Sequence, residues 1–180
     1  INDQIVSAVG DELQSVTSEA RSSMSAVRTL LAEKVFDPRD GRKREVVFRS
    51  QLLSQPTISW VALGWPDGSF FAGHKLGDNV IEMLEIAPDR DLRINRYEFV
   101  GNELKLKASW SEQTEYSVTE QDWFRVARQT DDEYWSTLTA HPRGERLAAA
   151  FSAPVAIDGK PRVLPRLAAF LTTPSVLERE

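Results

Sequence analysis

From Ile5 to Val35 apolar residues return at steps of four, four, three, four, four, three, four and four: Ile5, Val9, Leu13, Val16, Ala20, Met24, Val27, Leu31 and Val35. One face of an α-helix has that repeat. Asp3, Asp11, Glu12, Gln14, Glu19 and Arg21 fall between and take the other faces. Asn2 or Asp3 serves as a cap, and Pro38 with Gly41 in "DPRDG" stops the helix. At a rise of roughly 1.5 Å per residue such a helix spans on the order of 50 Å, more than a small domain covers, so its first half is expected to project. Leu30, Leu31, Val35 and Phe36 are expected to cover the domain. The thinner stripe from Ile5 to Ala20 suits either packing on the same sheet or pairing with this helix of a second copy.

At Thr57 the period changes to that of strands. "TISWVALGWPDGSFFAGHKL" is two β-rich runs about a "PDG" turn, and "DLRINRYEFV" and "ELKLKASW" flank "GN" at 101 and 102. "RLAAAFSAPVAI" and "RVLPRLAAFL" flank "DGK" at 158–160. Three hairpins predict an antiparallel sheet. Between the second and third, "TEYSVTEQDWFRVARQ" (114–129) carries Tyr116, Trp123 and Phe124 in a polar context. Its second half reads as a short helix capped by Thr119, with Gln121 and Asp122 in the first turn and Val126 facing inward. The fold class that follows is α+β: a long N-terminal helix (1–36) on an antiparallel sheet of five to six strands, with a short helix crossing the other face, all within one module that runs to 180. A concavity between sheet and crossover is a natural place for a small ligand.

Several classes of function are excluded or disfavoured. A net charge of −5 and a pI near 5.2 do not suit a nucleic-acid surface. With no cysteine there is no disulfide framework, thiolate metal site or cysteine nucleophile. His74 and His141 lack the spacing of a metal pair and read as surface or hairpin-end residues, and neither metal nor cofactor is expected. The basic run "RDGRKRE" (39–45) reads as a solvated loop rather than a phosphate site, and the acidic pairs Asp131–Asp132 and Glu82–Glu85 read as exposed rather than cation-binding. No nucleophile elbow, His-Glu-x-x-His, phosphate loop or dinucleotide fingerprint occurs, so the fragment itself is not expected to be an enzyme.

In order along almost the whole chain these segments resemble the Cache domains, PAS-like extracytoplasmic sensors of bacterial transmembrane receptors. Tyr116, Trp123 and Phe124 stand at the first tyrosine, the tryptophan and the final tyrosine of a family segment like "YDPRxRPWY". "FSAPVAIDGKPRVLPRLAAFL" is similar to the family's closing "ISxPVYDxDGxxxGVVGxDIxLxxL", and "ISWVALGWPDGSFF" to the strand and turn that open its sheet. The resemblance implies a periplasmic sensor domain tethered to the inner membrane, a homodimer through the N-terminal helix, and a small molecule held over the sheet. The pocket would be walled by Tyr116, Trp123, Phe124 and Tyr134 or Trp135, with polar contacts from Gln121 and Ser152. It also implies a cytoplasmic output, among which chemoreceptor, kinase and cyclase types occur; the segments are most similar to cyclase-linked domains. The length fits the membrane-distal half of a double domain better than a complete single one. Two positions depart from amino-acid-binding members. Gln121 replaces the arginine that pairs with a ligand carboxylate, and Ala168 or Ala169 stands near the aspartate that holds an amine. A second class therefore stays open, a module that dimerises or binds a partner protein and takes no metabolite.

Overall fold

The computed structural model describes residues 2–88, 91–125, 132, 134–140, 147–154 and 166–171. Helix α1 (Asn2–Ala32) is followed by a second helix, α2 (Gly41–Ser54), and then by strands β1 (Trp60–Gly64), β2 (Phe70–Lys75), β3 (Val80–Ile86), β4 (Asp91–Val100) and β5 (Glu103–Gln113). A 3-10 turn (Val118–Glu120) and the one-turn helix α3 (Asp122–Arg125) lead to β6 (Tyr134–Ala140), β7 (Leu147–Pro154) and β8 (Arg166–Leu171). The strands form one antiparallel sheet in the order β5-β4-β3-β2-β1-β8-β7-β6. The α+β class and all three hairpins are as expected, and β3 and β6 extend the sheet to eight strands. The "DGK" turn of the last hairpin lies outside the described residues.

The sheet separates two apolar layers. On one side Ala20, Met24, Val27 and Leu31 of α1 and Phe48 and Leu52 of α2 pack with Val61, Leu63, Phe71, Ile81 and Met83. On the other, Trp60, Ala62, Phe70, Leu84 and Ile94 pack with Val118, Trp123 and Phe124. Alternate residues of β1 thus serve opposite layers, as the period of two in a strand requires. No helix among the described residues is long and apolar enough to cross a membrane.

Helix α1 ends four residues before the expected Phe36. Lys34 takes a left-handed conformation (φ 54°), its N–H donates to the Leu31 carbonyl at 3.1 Å, and the Val35 N–H reaches back to the Leu30 carbonyl at 2.9 Å. This is a Schellman closure, which satisfies carbonyls that the helix end would leave open. It turns Val35 outward, 61% exposed, so Val35 does not cover the domain as its spacing predicted, whereas Phe36 does. Because an L-residue is strained at that φ, Lys34→Gly is expected to raise stability by up to about 1 kcal/mol, read as a higher urea midpoint.

The basic run 39–45, read as a solvated loop, instead leads into α2 from Gly41 onward. The Asp40 carboxylate caps it by accepting from the Lys43 N–H at 3.2 Å. At its other end Lys75 Nζ, on β2, donates to the carbonyls of Leu52, Gln55 and Pro56, each at 3.1 Å. Arg44, Phe48 and Leu52 make its buried face, with Arg44 held to Glu85 of β3 at 2.7 Å.

Candidate functional site

The layer opposite the long helix is built from rows of cross-strand partners, which share a face of the sheet. One row aligns Gly64, Phe70, Ile86 and Leu92. The next aligns Tyr134, Ser152, Ala168, Ala62 and Ala72, ending in Leu84, Ile94 and Trp110. The third aligns Trp60, His74, Glu82 and Arg96. Its middle row therefore runs through four small residues on four neighbouring strands.

The crossover lies on the first of these rows. It is shorter than the sequence suggested: Thr119 sits within the 3-10 turn, and Gln121 occupies the cap position, its carbonyl accepting from Phe124 N at 3.0 Å and Arg125 N at 2.8 Å. Val126 lies outside the described residues. Trp123 and Phe124 are completely buried, edge to face with ring centroids 5.8 Å apart. The Trp123 indole N–H donates to the Tyr116 hydroxyl at 3.3 Å, and the Tyr116 ring lies 5.1 Å from that of Phe70. Burial holds the Tyr116 phenol above its ordinary range, so it stays a neutral hydrogen-bonding group at any physiological pH.

Gly64 is what lets the crossover approach. A Cβ there would stand 2.6 Å from Val118 Cγ2, 3.0 Å from Trp123 and 3.1 Å from Phe124. Gly64→Ala is expected to push the crossover off the sheet at a cost of about 1–3 kcal/mol, seen as a lower urea midpoint with increased exposure of tryptophan.

The structure thus brings Tyr116, Trp123 and Phe124 together. Gln121 belongs to the same crossover, with its side-chain amide donating to the Ser117 carbonyl at 3.1 Å. Ser152 is buried in the row of small residues, directly across from Tyr134 on β6, and Trp135 pairs one position further on with Phe151. Ala168, near the family's aspartate position, lies between Ser152 and Ala62 in the same row.

The third row escaped sequence reasoning. Glu82 is completely buried, and its Oε1 accepts from Arg96 Nε at 2.9 Å and Nη2 at 2.6 Å. His74, read as a surface or hairpin-end residue, is half-buried near the end of β2 and stacks on Trp60 with centroids 3.9 Å apart. Arg96 also lies 5.3 Å from the Trp110 ring. The expected exposed pair Glu82–Glu85 is split between the two faces, Glu85 pairing with Arg44 beneath α2, so the two carboxylates cannot share a cation. The signal was present in "VIEMLEI": Glu82 has the same strand parity as Leu84 and Ile86, which belong to the core. No group of three or more potential metal ligands occurs among the described residues, while His141 and Asp131 lie outside them.

No protein-family model matches the chain, nor does any curated protein. Solved structures do. The ligand-binding domain of the Campylobacter jejuni chemoreceptor Tlp3, in complex with 4-methylisoleucine, is 14% identical with a TM-score of 0.58, covering 92% of this chain and 53% of that one. The same domain with L-valine gives a TM-score of 0.56 at 14% identity, over 92% of this chain and 54% of the other. The Tlp3 sensory domain gives 0.56 at 14% identity, over 92% and 55%. The likeness is one of fold, and the chain spans about half the length of the structures it matches.

Proposed function

We propose that this chain, whose fold is that of Cache-type chemoreceptor sensory domains, is an extracytoplasmic ligand-sensing domain of a bacterial membrane signal-transduction protein. The observation that carries the reading is the pairing of an aromatic crossover with a floor of small residues on the face away from α1. Small side chains leave room above a sheet, and aromatic faces bordering that room supply contact area at low entropic cost. In this reading Tyr116, Trp123 and Phe124 wall the site together with Tyr134, and Gln121 and Ser152 give polar contacts. The Tlp3 domain, of the same fold, has been solved with amino-acid ligands. Here the charges that would recognise an α-amino acid at the motif positions are replaced by Gln121 and alanine, so the ligand is a small molecule held by aromatic and neutral hydrogen-bonding contacts.

The signal leaves through residues 1–36 and the C-terminal end of the module 37–180. A ligand preferring one crossover geometry biases how α1 is set, by no more than its difference in affinity for the two geometries. Pairing of α1 with that of a second copy, tethering to the inner membrane and a cytoplasmic cyclase output complete the proposal. A second reading, a dimerisation or partner-binding module without metabolite, is favoured by the complete burial of Trp123 and Phe124 among the domain's own side chains. A thermal-shift screen against amino acids, carboxylates, polyamines, purines and nucleotides separates the two. A ligand at 100 times its dissociation constant adds about 2.7 kcal/mol of stability. A reproducible rise for one chemical class supports sensing; a cooperative unfolding transition that no class moves would refute it in favour of the second reading.

A further inference from the structure

We propose that the groove between α2 and the edge strand β5 receives the first half of α1 from a second copy of this chain. The inference rests on the self-association through residues 1–36 proposed above, and it specifies the surface that receives them. The groove is about 550 Å³ in volume and is lined by Val46, Arg49, Ser50, Leu53 and Ser54 of α2 and Leu104 of β5. Val46 and Leu53 are about half exposed, and so is Leu106, which stands opposite Tyr97 of β4 on the same side of the sheet. An apolar strip this open suits a helix laid along it better than an enclosed small molecule.

Two features of β5 argue against a strand as the occupant. It is the edge of the sheet, but Lys105 and Lys107 are exposed along it and its register with β4 shifts between Arg96 and Tyr97. Charged side chains and a bulge are what keep an edge from adding a further strand.

Charge selects the occupant. Steps of four, three and four put Arg42, Val46, Arg49 and Leu53 on one face of α2. Glu45 is turned inward, where it accepts from the Tyr97 hydroxyl at 2.7 Å and from Asn95 Nδ2 at 3.2 Å, and the Arg49 guanidinium lies 4.6 Å from the Tyr97 ring. The groove is therefore apolar with a basic border, so a second α2 laid against it would set arginine against arginine. An acidic amphipathic helix fits instead, and the first half of α1 is one. Ile5, Val9, Leu13 and Val16 repeat on one face, with Asp3, Asp11 and Glu12 beside them and no Lys or Arg before Arg21. The described core positions of α1 begin only at Ala20. Residues 2–17 span about 24 Å and the 14 residues of α2 about 21 Å, so the two match in length. Pairing of the same segments with each other would put acids on both sides.

The test is analytical ultracentrifugation of the chain over a concentration series, in low and high salt. Concentration-dependent association is expected, weaker in high salt because the contact is partly ionic. Leu53→Glu/Leu106→Glu should raise the dissociation constant about tenfold or more, by removing apolar contact and setting carboxylates against the acids of α1. Both positions are exposed, so this variant keeps the melting temperature of the parent chain. Asp11→Lys, at an exposed position of α1, should weaken association in the same direction. Were α1 to pair with α1, the groove variant would retain association and Asp11→Lys would strengthen it by relieving like charge. That result overturns the groove while leaving the association through residues 1–36 in place. Loss in the groove variant but not in Asp11→Lys overturns α1 as the occupant, and a chain that stays monomeric at every concentration overturns the proposed association and the groove together.

Discussion

Trp123→Ala should destabilise the domain by about 3–5 kcal/mol, the usual cost of removing a fully buried large aromatic from a well-packed layer. For a chain of this size that lowers the melting temperature by on the order of 10 °C. The cost is high because nothing nearby can close the gap: Gly64 has no side chain, and Val118 and Phe124 are already against the sheet. Trp123→Phe keeps most of the apolar area and loses the hydrogen bond to the Tyr116 hydroxyl, so about 1–2 kcal/mol is expected. The milder variant carries the functional half of the prediction. It should remain folded yet weaken any ligand found by the thermal-shift screen, because the indole is proposed to form the wall of that site. Unchanged affinity in folded Trp123→Phe would leave the wall assignment without support, while the stability loss in Trp123→Ala would still stand.

Legibility of this fold in its sequence depended on whether core positions were filled by apolar residues. The stripe on α1 and the hairpins β1–β2, β4–β5 and β7–β8 followed from period and turn residues alone, as did the aromatic crossover. Helix α2 was missed, and β3 went unnoticed beside it. Both have a charged residue facing the core: Arg44 sits one turn before Phe48, and Glu82 alternates with Leu84 and Ile86. A hydrophobic pattern counts each as a surface position, although each is buried against an opposite charge from another element, Arg44 against Glu85 of β3 and Glu82 against Arg96 of the next strand. Sequence spacing cannot show that Arg44 will meet Glu85 forty-one positions on. The candidate site was legible in the same uneven way. Its aromatic wall announced itself by motif, whereas the floor depends on register between strands far apart in the chain, and the Trp60–His74–Glu82–Arg96 row exists only once β3 is placed.

That row gives the other large effect. Arg96→Met should cost about 3–5 kcal/mol in urea unfolding, because it removes the guanidinium that neutralises a carboxylate with no access to water. Glu82→Met should cost less, about 1–3 kcal/mol: the Arg96 side chain is 38% exposed, so its guanidinium can turn toward solvent and keep its contact with Trp110. The two partners are thus unequal, and the inequality follows from which of them can be rehydrated. In Glu82→Met/Arg96→Met the desolvated charges are gone together, and two flexible apolar side chains can fill the space beside Leu84 and Trp110. The double variant should therefore recover most of the stability lost in Arg96→Met. Costs that simply add would mean the two groups are not coupled, and equal costs for the single variants would mean that the difference in solvent access has no energetic consequence. Either result would also bear on the proposed ligand site, since this pair forms the edge of the small-residue floor furthest from the crossover. If the double variant folds but no longer responds to a ligand that the screen has identified, the charged row is part of the recognition surface as well as of the core.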